Sequence, residues 1–360
     1  MISSAQIVTR LTCFQCHFTG PLRQVKNVHQ DSDICFQITK ESLERSSIRI
    51  LSRRHKKNKT TILKIIHRVT SKLPDSLWLS HRFKPLWSGV LVFDGKVVRV
   101  FNRAATKLNQ EKFTEQELKW MHKMRWVCGV DYGTGDLPHY DLAEEESTIE
   151  LVMYFKKLKE LNYPLTVLVS DGNTEIIQAA RFVYGENILH QLCTRHFIDG
   201  LGRLIPRESL LEQEKSELEN LVSLIQQTIQ AKSVEQAAHY VSEVDRHFKT
   251  CKSILASTIM TAFKANIKAL TTHLSHPNKK IPRTSNEAEI LFKQLNLRLR
   301  SLGRFSHWRY AKNYLNAWAL LRRFTPFTDC RNGRKHRNGK APLQLAGCEI
   351  NNIDPIKLQS

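Results

Sequence analysis

The sequence predicts an α/β fold with a mixed sheet, and two observations carry that prediction. Apolar runs with strand-like composition come first, at residues 90–93 and 97–101, and strand and helix patterns then alternate from residue 126 to residue 204. Strand signals next disappear: between Glu208 and about His276 the apolar residues recur at helix spacing, so a largely helical insertion is expected before the last part of the core.

Along the chain, the expected organisation is a poorly defined segment (1–40), a helix-turn-helix-like module (41–73), the first part of the core (86–206), the insertion (207–282), the last part of the core (283–328) and a basic, flexible tail (329–360). In the first segment Cys13-Phe-Gln-Cys16 has the spacing of half a zinc knuckle, with His17, His29 and Cys35 as conceivable partners. A structural site takes four ligands, commonly as two tight pairs, so Cys13 and Cys16 read either as a partial zinc site or as ordinary cysteine-containing sequence. Residues 48–51 and 60–66 form two short apolar-periodic stretches around Arg53-Arg-His-Lys-Lys-Asn-Lys59, with Thr60 or Thr61 as N-cap. Arg53, Arg54, Lys56, Lys57, Lys59 and Lys64 are the candidate DNA contacts of this pair, which a plain solvated helical pair would also explain. Pro74 and the stretch from Trp78 to Pro85 read as a linker.

In the core, Asp94-Gly95-Lys96 has the composition of a tight hairpin turn between the first two strand runs. A charged helical segment (111–124), a strand (126–130), a turn at Tyr132-Gly-Thr-Gly135 and a helix (147–161) begun by the capping-box spacing of Ser147 and Glu150 follow. Then come strand (165–169), helix (174–183), strand (187–190) and helix (195–204), and after the insertion helices resume near Asn286 and Trp308. The late aromatics Trp308 and Trp318 keep helix periodicity with Ala311 and Leu315, as core residues do.

The chain has 360 residues, with 55 Lys and Arg against 34 Asp and Glu, a net charge of +21. The surplus is clustered: residues 40–72 hold eleven basic residues against two acids, and residues 277–340 hold sixteen against three. Clustered positive charge favours a polyanionic partner, because each phosphate neutralised releases condensed counterions. No apolar stretch approaches a membrane span and no signal-type segment opens the chain, so a soluble protein, cytoplasmic or nucleoid-associated in a prokaryote, is expected. Eight cysteines without regular pairing fit reduced thiols.

Three acids carry the chemistry. Asp94 closes Gly89-Val-Leu-Val-Phe-Asp94, Asp171 closes Leu165-Thr-Val-Leu-Val-Ser-Asp171, and Glu289 lies in Thr284-Ser-Asn-Glu-Ala-Glu289 ahead of a helix. Two strand-borne carboxylates and one helix-borne carboxylate suit hard divalent cations held by oxygen. One strand-end aspartate alone is commonly just a turn residue, as Asp131 is read to be.

In the region 90–345 the motifs Val92-Phe-Asp94-Gly-Lys96, Val167-Leu-Val-Ser-Asp171-Gly-Asn173, His190-Gln-Leu-Cys193-Thr-Arg-His196 and Ser285-Asn286-Glu-Ala-Glu289 occur in that order. Together they resemble the DDE transposases of the Mutator-type superfamily and the related bacterial and archaeal insertion-sequence transposases. The resemblance implies an RNase H-like five-stranded mixed sheet flanked by helices, with Asp94, Asp171 and Glu289 as catalytic and metal-binding triad and Glu287 as the rival third acid. It further implies two Mg²⁺ or Mn²⁺ ions, cleavage at transposon ends, and strand transfer of the 3′ hydroxyl into target DNA by an assembly, dimeric or higher, on DNA. Cys193 and His196 are expected beside the active site or DNA, together with Asn286, Lys293, Arg298 and Arg300. Two other readings stay open here: a DNA-binding protein that has lost the chemistry, and an RNase H-like nuclease or resolvase that cuts without joining.

Overall fold

In the computed structural model, residues 10–12, 19–21, 32–101, 121–144, 147–206, 212–302 and 305–358 are described. A short antiparallel pair, β1 (Arg10–Thr12) and β2 (Thr19–Pro21), comes first. Cys13 and Cys16 lie outside the described residues, as do residues 111–120 of the expected charged helix.

The first helical group is larger than the sequence suggests. α1 (Ser32–Glu44) crosses the expected boundary at residue 40 and buries Cys35, Ile38, Thr39, Ser42 and Leu43 on one face. Cys35 is thus a core residue, and its sulfur accepts from Arg68 Nη2 at 3.0 Å. α2 (Ile48–Arg54) and α3 (Lys59–Thr70) follow, joined by a four-residue turn. Lys56 takes the left-handed backbone there at φ 50°, the conformation a glycine usually supplies in such a turn. The N-cap of α3 is Asn58, whose Oδ1 accepts from Thr61 N at 2.7 Å, rather than Thr60 or Thr61. The expected linker contains a helix, α4 (Ser76–Phe83), capped by Asp75 and stopped by left-handed Lys84.

The sheet has five strands: β3 (Val90–Phe101), β4 (Met121–Asp131), β5 (Tyr140–Ala143), β6 (Val167–Ser170) and β7 (Leu189–Leu192). Their spatial order is β5-β4-β3-β6-β7; the first three are antiparallel, and β6 and β7 run parallel to β3. The expected hairpin at Asp94-Gly95-Lys96 does not form. Pairing passes straight through it, Asp94 opposite Cys128, Gly95 opposite Val127 and Lys96 opposite Trp126. A two-residue hairpin needs left-handed backbone. Extended, the same stretch keeps Val98 and Val100 in one core with Val90 and Val92. The strand opposite begins at Met121, so the last residues of the expected charged helix are strand.

Both faces of the sheet are covered. Leu91 and Phe93 pack with Val127 under α5 (Thr148–Glu160) and α6 (Thr174–Tyr184). The other face, with Val90, Val92, Cys128, Val167 and Val169, belongs to a larger core shared with α1–α4, α11 (Asn286–Leu302) and α12 (Trp308–Phe324). At the start of β3, Gly89 has φ 78° and a Cβ there would come 2.2 Å from the Pro164 carbonyl oxygen. Only glycine lets β3 and the approach to β6 lie this close.

Between β7 and α11 stand α7 (Thr194–Leu204), the helix expected to close the first part of the core, and then the expected insertion: α8 (Glu212–Gln230), α9 (Val234–Thr250) and α10 (Ile254–Leu270). It has its own core around Leu218, Ile225, Val244, Ile259 and Phe263, which also takes Leu201 of α7 and Leu192 of β7. Its return is pinned to the sheet: buried Gln191 donates to the Leu270 carbonyl at 3.1 Å and accepts from His273 N at 2.9 Å.

The C-terminal residues are not a flexible tail. A 3₁₀ segment (Asn332–Arg337), α13 (Pro342–Leu345) and a last 3₁₀ turn (Pro355–Lys357) bury Ala341, Leu343, Ala346, Ile350 and Ile356 in the large core. Apolar burial outweighs the local charge. Among the described residues, no helix is long and apolar enough to cross a membrane.

Candidate active site

Asp94 lies within β3, not at its end, on the same face as Val92 and directly opposite Cys128. Its charge adds to burial in pushing the Cys128 thiol well above its ordinary range. Its Oδ1 accepts from the amide of Gly95 at 2.7 Å. Asp171 follows the last residue of β6, and its Oδ1 accepts from Asn173 N at 3.1 Å, opening the turn into α6. The parallel register pairs Val90 with Val167 and Val92 with Val169. Continued by two residues, that register would bring Asp94 level with Asp171, and the charges of both act on His196.

Glu289 lies in the first turn of α11. The start of that helix is clasped by the end of β7 and the start of α7. Thr194 N donates to the Arg283 carbonyl at 3.0 Å, and the amide and hydroxyl of buried Ser285 both donate to Cys193 Sγ at 3.3 Å. The same hydroxyl is 3.4 Å from His196 Nδ1, and the Ser285 carbonyl accepts from Ala288 N and Glu289 N. Arg195 Nη1 meets Glu289 Oε2 at 2.8 Å. The other oxygen, Oε1, is buried without a hydrogen-bond partner.

Cys193 and His196 perturb each other. Burial raises the Cys193 thiol, but hydrogen bonds from His196 and Ser285 outweigh it and bring it down to about 7. The bond to Cys193 lifts His196 to about 9 against its partial burial, with further help from the charges of Asp94 and Asp171. His196 therefore feels both aspartates while its partner Ser285 starts the helix of Glu289, so one side chain links three of the four motifs to the fourth.

Glu287 is occupied elsewhere: its Oε1 accepts from Arg334 Nη1 at 2.8 Å and Arg337 Nη1 at 3.1 Å. Asp131, read as a turn residue, is a fully buried hub. It accepts from the Ser88 amide and hydroxyl, the Thr134 amide and hydroxyl, and Tyr163 OH. That set satisfies both its oxygens and leaves it a structural role. His190, at the end of the sheet, is 3.0 Å from Ser170 Oγ and stays neutral, lowered to about 4 by burial and then by Arg181.

Of the other candidates, Asn286 opens α11 and Lys293 is exposed one turn beyond Glu289. Arg300 is exposed in the last turn, on the side of the helix that carries Glu289. Arg298 is about two and a half turns from Glu289, hence on the opposite side, half-buried near Arg45, Glu44 and Tyr314. It belongs to the contact with α1 rather than to the acids. In the helical pair, Arg53, Arg54, Lys56, Lys59 and Lys64 are exposed and Lys57 is half-buried, and Arg54 is paired with Glu41 at 2.6 Å. Arg195 and Ser285 were not singled out by sequence reasoning, although each sits inside a quoted motif.

Among the described residues, no group of three or more His, Cys, Asp or Glu side chains is gathered as a ready-made metal site. What suits a hard cation is the donor chemistry, carboxylate oxygens, and of these Glu289 Oε1 is buried without a hydrogen-bond partner. No known family model matches the sequence, and no curated protein does either.

Proposed function

We propose that the chain is a DDE-type DNA transposase whose sheet is an RNase H-like core, with Asp94, Asp171 and Glu289 as its catalytic acids. The observation that carries this reading is the convergence of four separated motifs through Cys193, Ser285 and His196 on one end of the parallel strands. The strand order third-second-first-fourth-fifth, with the first three antiparallel, supports the same core. Glu289 is preferred to Glu287 because its Oε1 is buried without a partner, whereas Glu287 holds two arginines.

Mg²⁺ or Mn²⁺ bound by the three carboxylates would supply activation of water, and then of a 3′ hydroxyl, for in-line phosphoryl transfer. The chain's own residues supply the placement. β3 and β6 fix two acids side by side, the Cys193–His196–Ser285 clasp fixes the approach of the third, and Arg195 neutralises Glu289 until its carboxylate is needed. Exposed Lys293 and Arg300 extend positive charge along the same helix for phosphate contact. Two DNA ends handled together imply a dimer or larger assembly, and α2 and α3, with their exposed basic residues, are the helix-turn-helix candidate for end recognition.

A supercoiled plasmid incubated with donor DNA ends, protein and Mg²⁺ tests the reading. Joined products are expected. Cut products without joining would favour a nuclease or resolvase, and a mobility shift alone would favour a DNA-binding protein without chemistry.

A further inference from the structure

A groove of about 930 Å³ opens at the first turn of α11, between the loop that ends the insertion and the C-terminal 3₁₀ segment. Lys279, Lys280 and Arg283 line one wall, and Arg334, His336 and Arg337 line the other. The two walls differ in how they hold their charge. Arg337 is buried, donates to the Tyr132 carbonyl and lies over the Phe327 ring, and together with Arg334 it is pinned by Glu287. Lys279, Lys280 and Arg283 are exposed, and none of them forms an ion pair among the described residues. One wall is thus a rigid arginine framework and the other a set of uncommitted cations.

The groove also touches Val90, which shares a strand face with Asp94 four residues on. At about 3.3 Å per residue the separation is roughly 13 Å. On a duplex rising about 3.4 Å per step, that is roughly four base-pair steps. We infer that this groove holds the sugar-phosphate backbone of the DNA flanking the reacting phosphodiester, with the C-terminal segment, latched by Glu287, as a fixed wall. The inference rests on the DNA-processing reading above and adds to it a place for the flanking strand. A small ligand suits the groove poorly, since cations facing each other across an open cleft match a continuous chain of phosphates.

The test is the salt dependence of binding to a fluorescein-labelled DNA duplex, followed by anisotropy with the full chain. The triple variant Lys279→Gln, Lys280→Gln, Arg283→Gln should melt as the wild type does, because all three side chains are exposed. The slope of log K against log salt should become shallower by about 0.9 for each phosphate no longer neutralised, about 2.7 for three. The charge-preserving variant Lys279→Arg, Lys280→Arg, Arg283→Lys should keep the wild-type slope. A photocrosslinking residue at position 280 should label the duplex and be displaced by unlabelled duplex. Wild-type binding with an unchanged slope in the glutamine variant overturns the groove while leaving the transposase reading in place. A wild-type chain that binds no duplex at low salt overturns both.

Discussion

Glu287 and Glu289 stand two residues apart on the first turn of α11 and face different tasks. Glu287 carries two guanidinium groups at 2.8 and 3.1 Å, and Glu289 carries one, with its other oxygen buried and unpartnered. A carboxylate already shared by two arginines is a poor cation ligand, because both guanidinium groups draw on its Oε1 and their charge already compensates its own. The expected outcome is that Asp94→Asn, Asp171→Asn and Glu289→Gln each lower DNA cleavage by at least about 10²–10³-fold while duplex affinity stays near wild type. Glu287→Gln should keep cleavage chemistry, loosen the C-terminal segment and hasten tryptic cutting within 331–340. Loss of cleavage in Glu287→Gln without faster proteolysis would exchange the roles of the two acids. Arg195 offers a finer measurement. It is exposed, so its pairing with Glu289 is worth no more than about 1 kcal/mol. Removing the competing cation in Arg195→Gln should tighten Mn²⁺ binding, followed by calorimetry, by up to about fivefold. Weaker binding would mean that Arg195 positions Glu289 rather than competing for it.

Between elements, the Cys193–His196 pair holds α7 against the start of α11, and its pH behaviour has a worked sign. A thiol brought down to about 7 contributes stability above its unfolded value that is lost as pH falls through about 7. An imidazole lifted to about 9 contributes stability below its unfolded value that is lost as pH rises through about 9. Between those limits the native pair holds one proton on His196 and the unfolded pair holds one on Cys193. Proton counts are equal, so this pair adds almost no pH slope to stability there. The thiolate itself should be visible by ultraviolet difference absorbance against Cys193→Ser, present near pH 8 and fading below about 7. A pair that stays thiol and neutral imidazole at pH 8 would contradict the assignment.

Elements also separate what the sequence makes legible from what it hides. Helices capped by short polar side chains, such as Ser147 and Asn173, fall within a residue or two of expectation because capping is local. Asp94-Gly95-Lys96 misleads for the complementary reason: its composition is that of a turn, and only long-range pairing with 121–131 extends it. β5 is a four-residue edge strand containing Asp141, too short for a periodic signal. The order of the acids could be read from motifs, but the placement of the helix that carries Glu289 depends on Cys193 meeting Ser285 across 92 residues, which no local pattern encodes.

For the whole molecule, the decisive fact is how the cores are shared. α1–α3, the far face of the sheet, α11, α12 and the C-terminal segment contribute to a single apolar cluster, whereas the insertion has its own. Tyr314 of α12 donates to the Ser42 carbonyl of α1, His67 of α3 stacks on Tyr310 at 3.8 Å, and Asn316 donates to the Pro74 carbonyl. The helix-turn-helix candidate is therefore seated on the core of the five-stranded sheet, unlike a domain hung on a flexible linker. Deleting residues 1–73 would strip α12 of Ser42 and His67, though not of Pro74, and expose Ala311, Tyr314 and Leu315, now buried. Each large buried side chain laid open forfeits about 1.5–3 kcal/mol, and a few such losses exceed the stability of an ordinary domain. The shortened chain is expected to be insoluble or molten, and in the full chain amides of α1, α3 and β3 should exchange as one cooperative unit, with α8 and α9 opening separately. A soluble 74–360 chain with native near-ultraviolet dichroism would show that the module is dispensable for folding. Under the proposed function, end recognition would then move independently of the three acids, and DNA bound by α2 and α3 would no longer be held in fixed register with Asp94, Asp171 and Glu289.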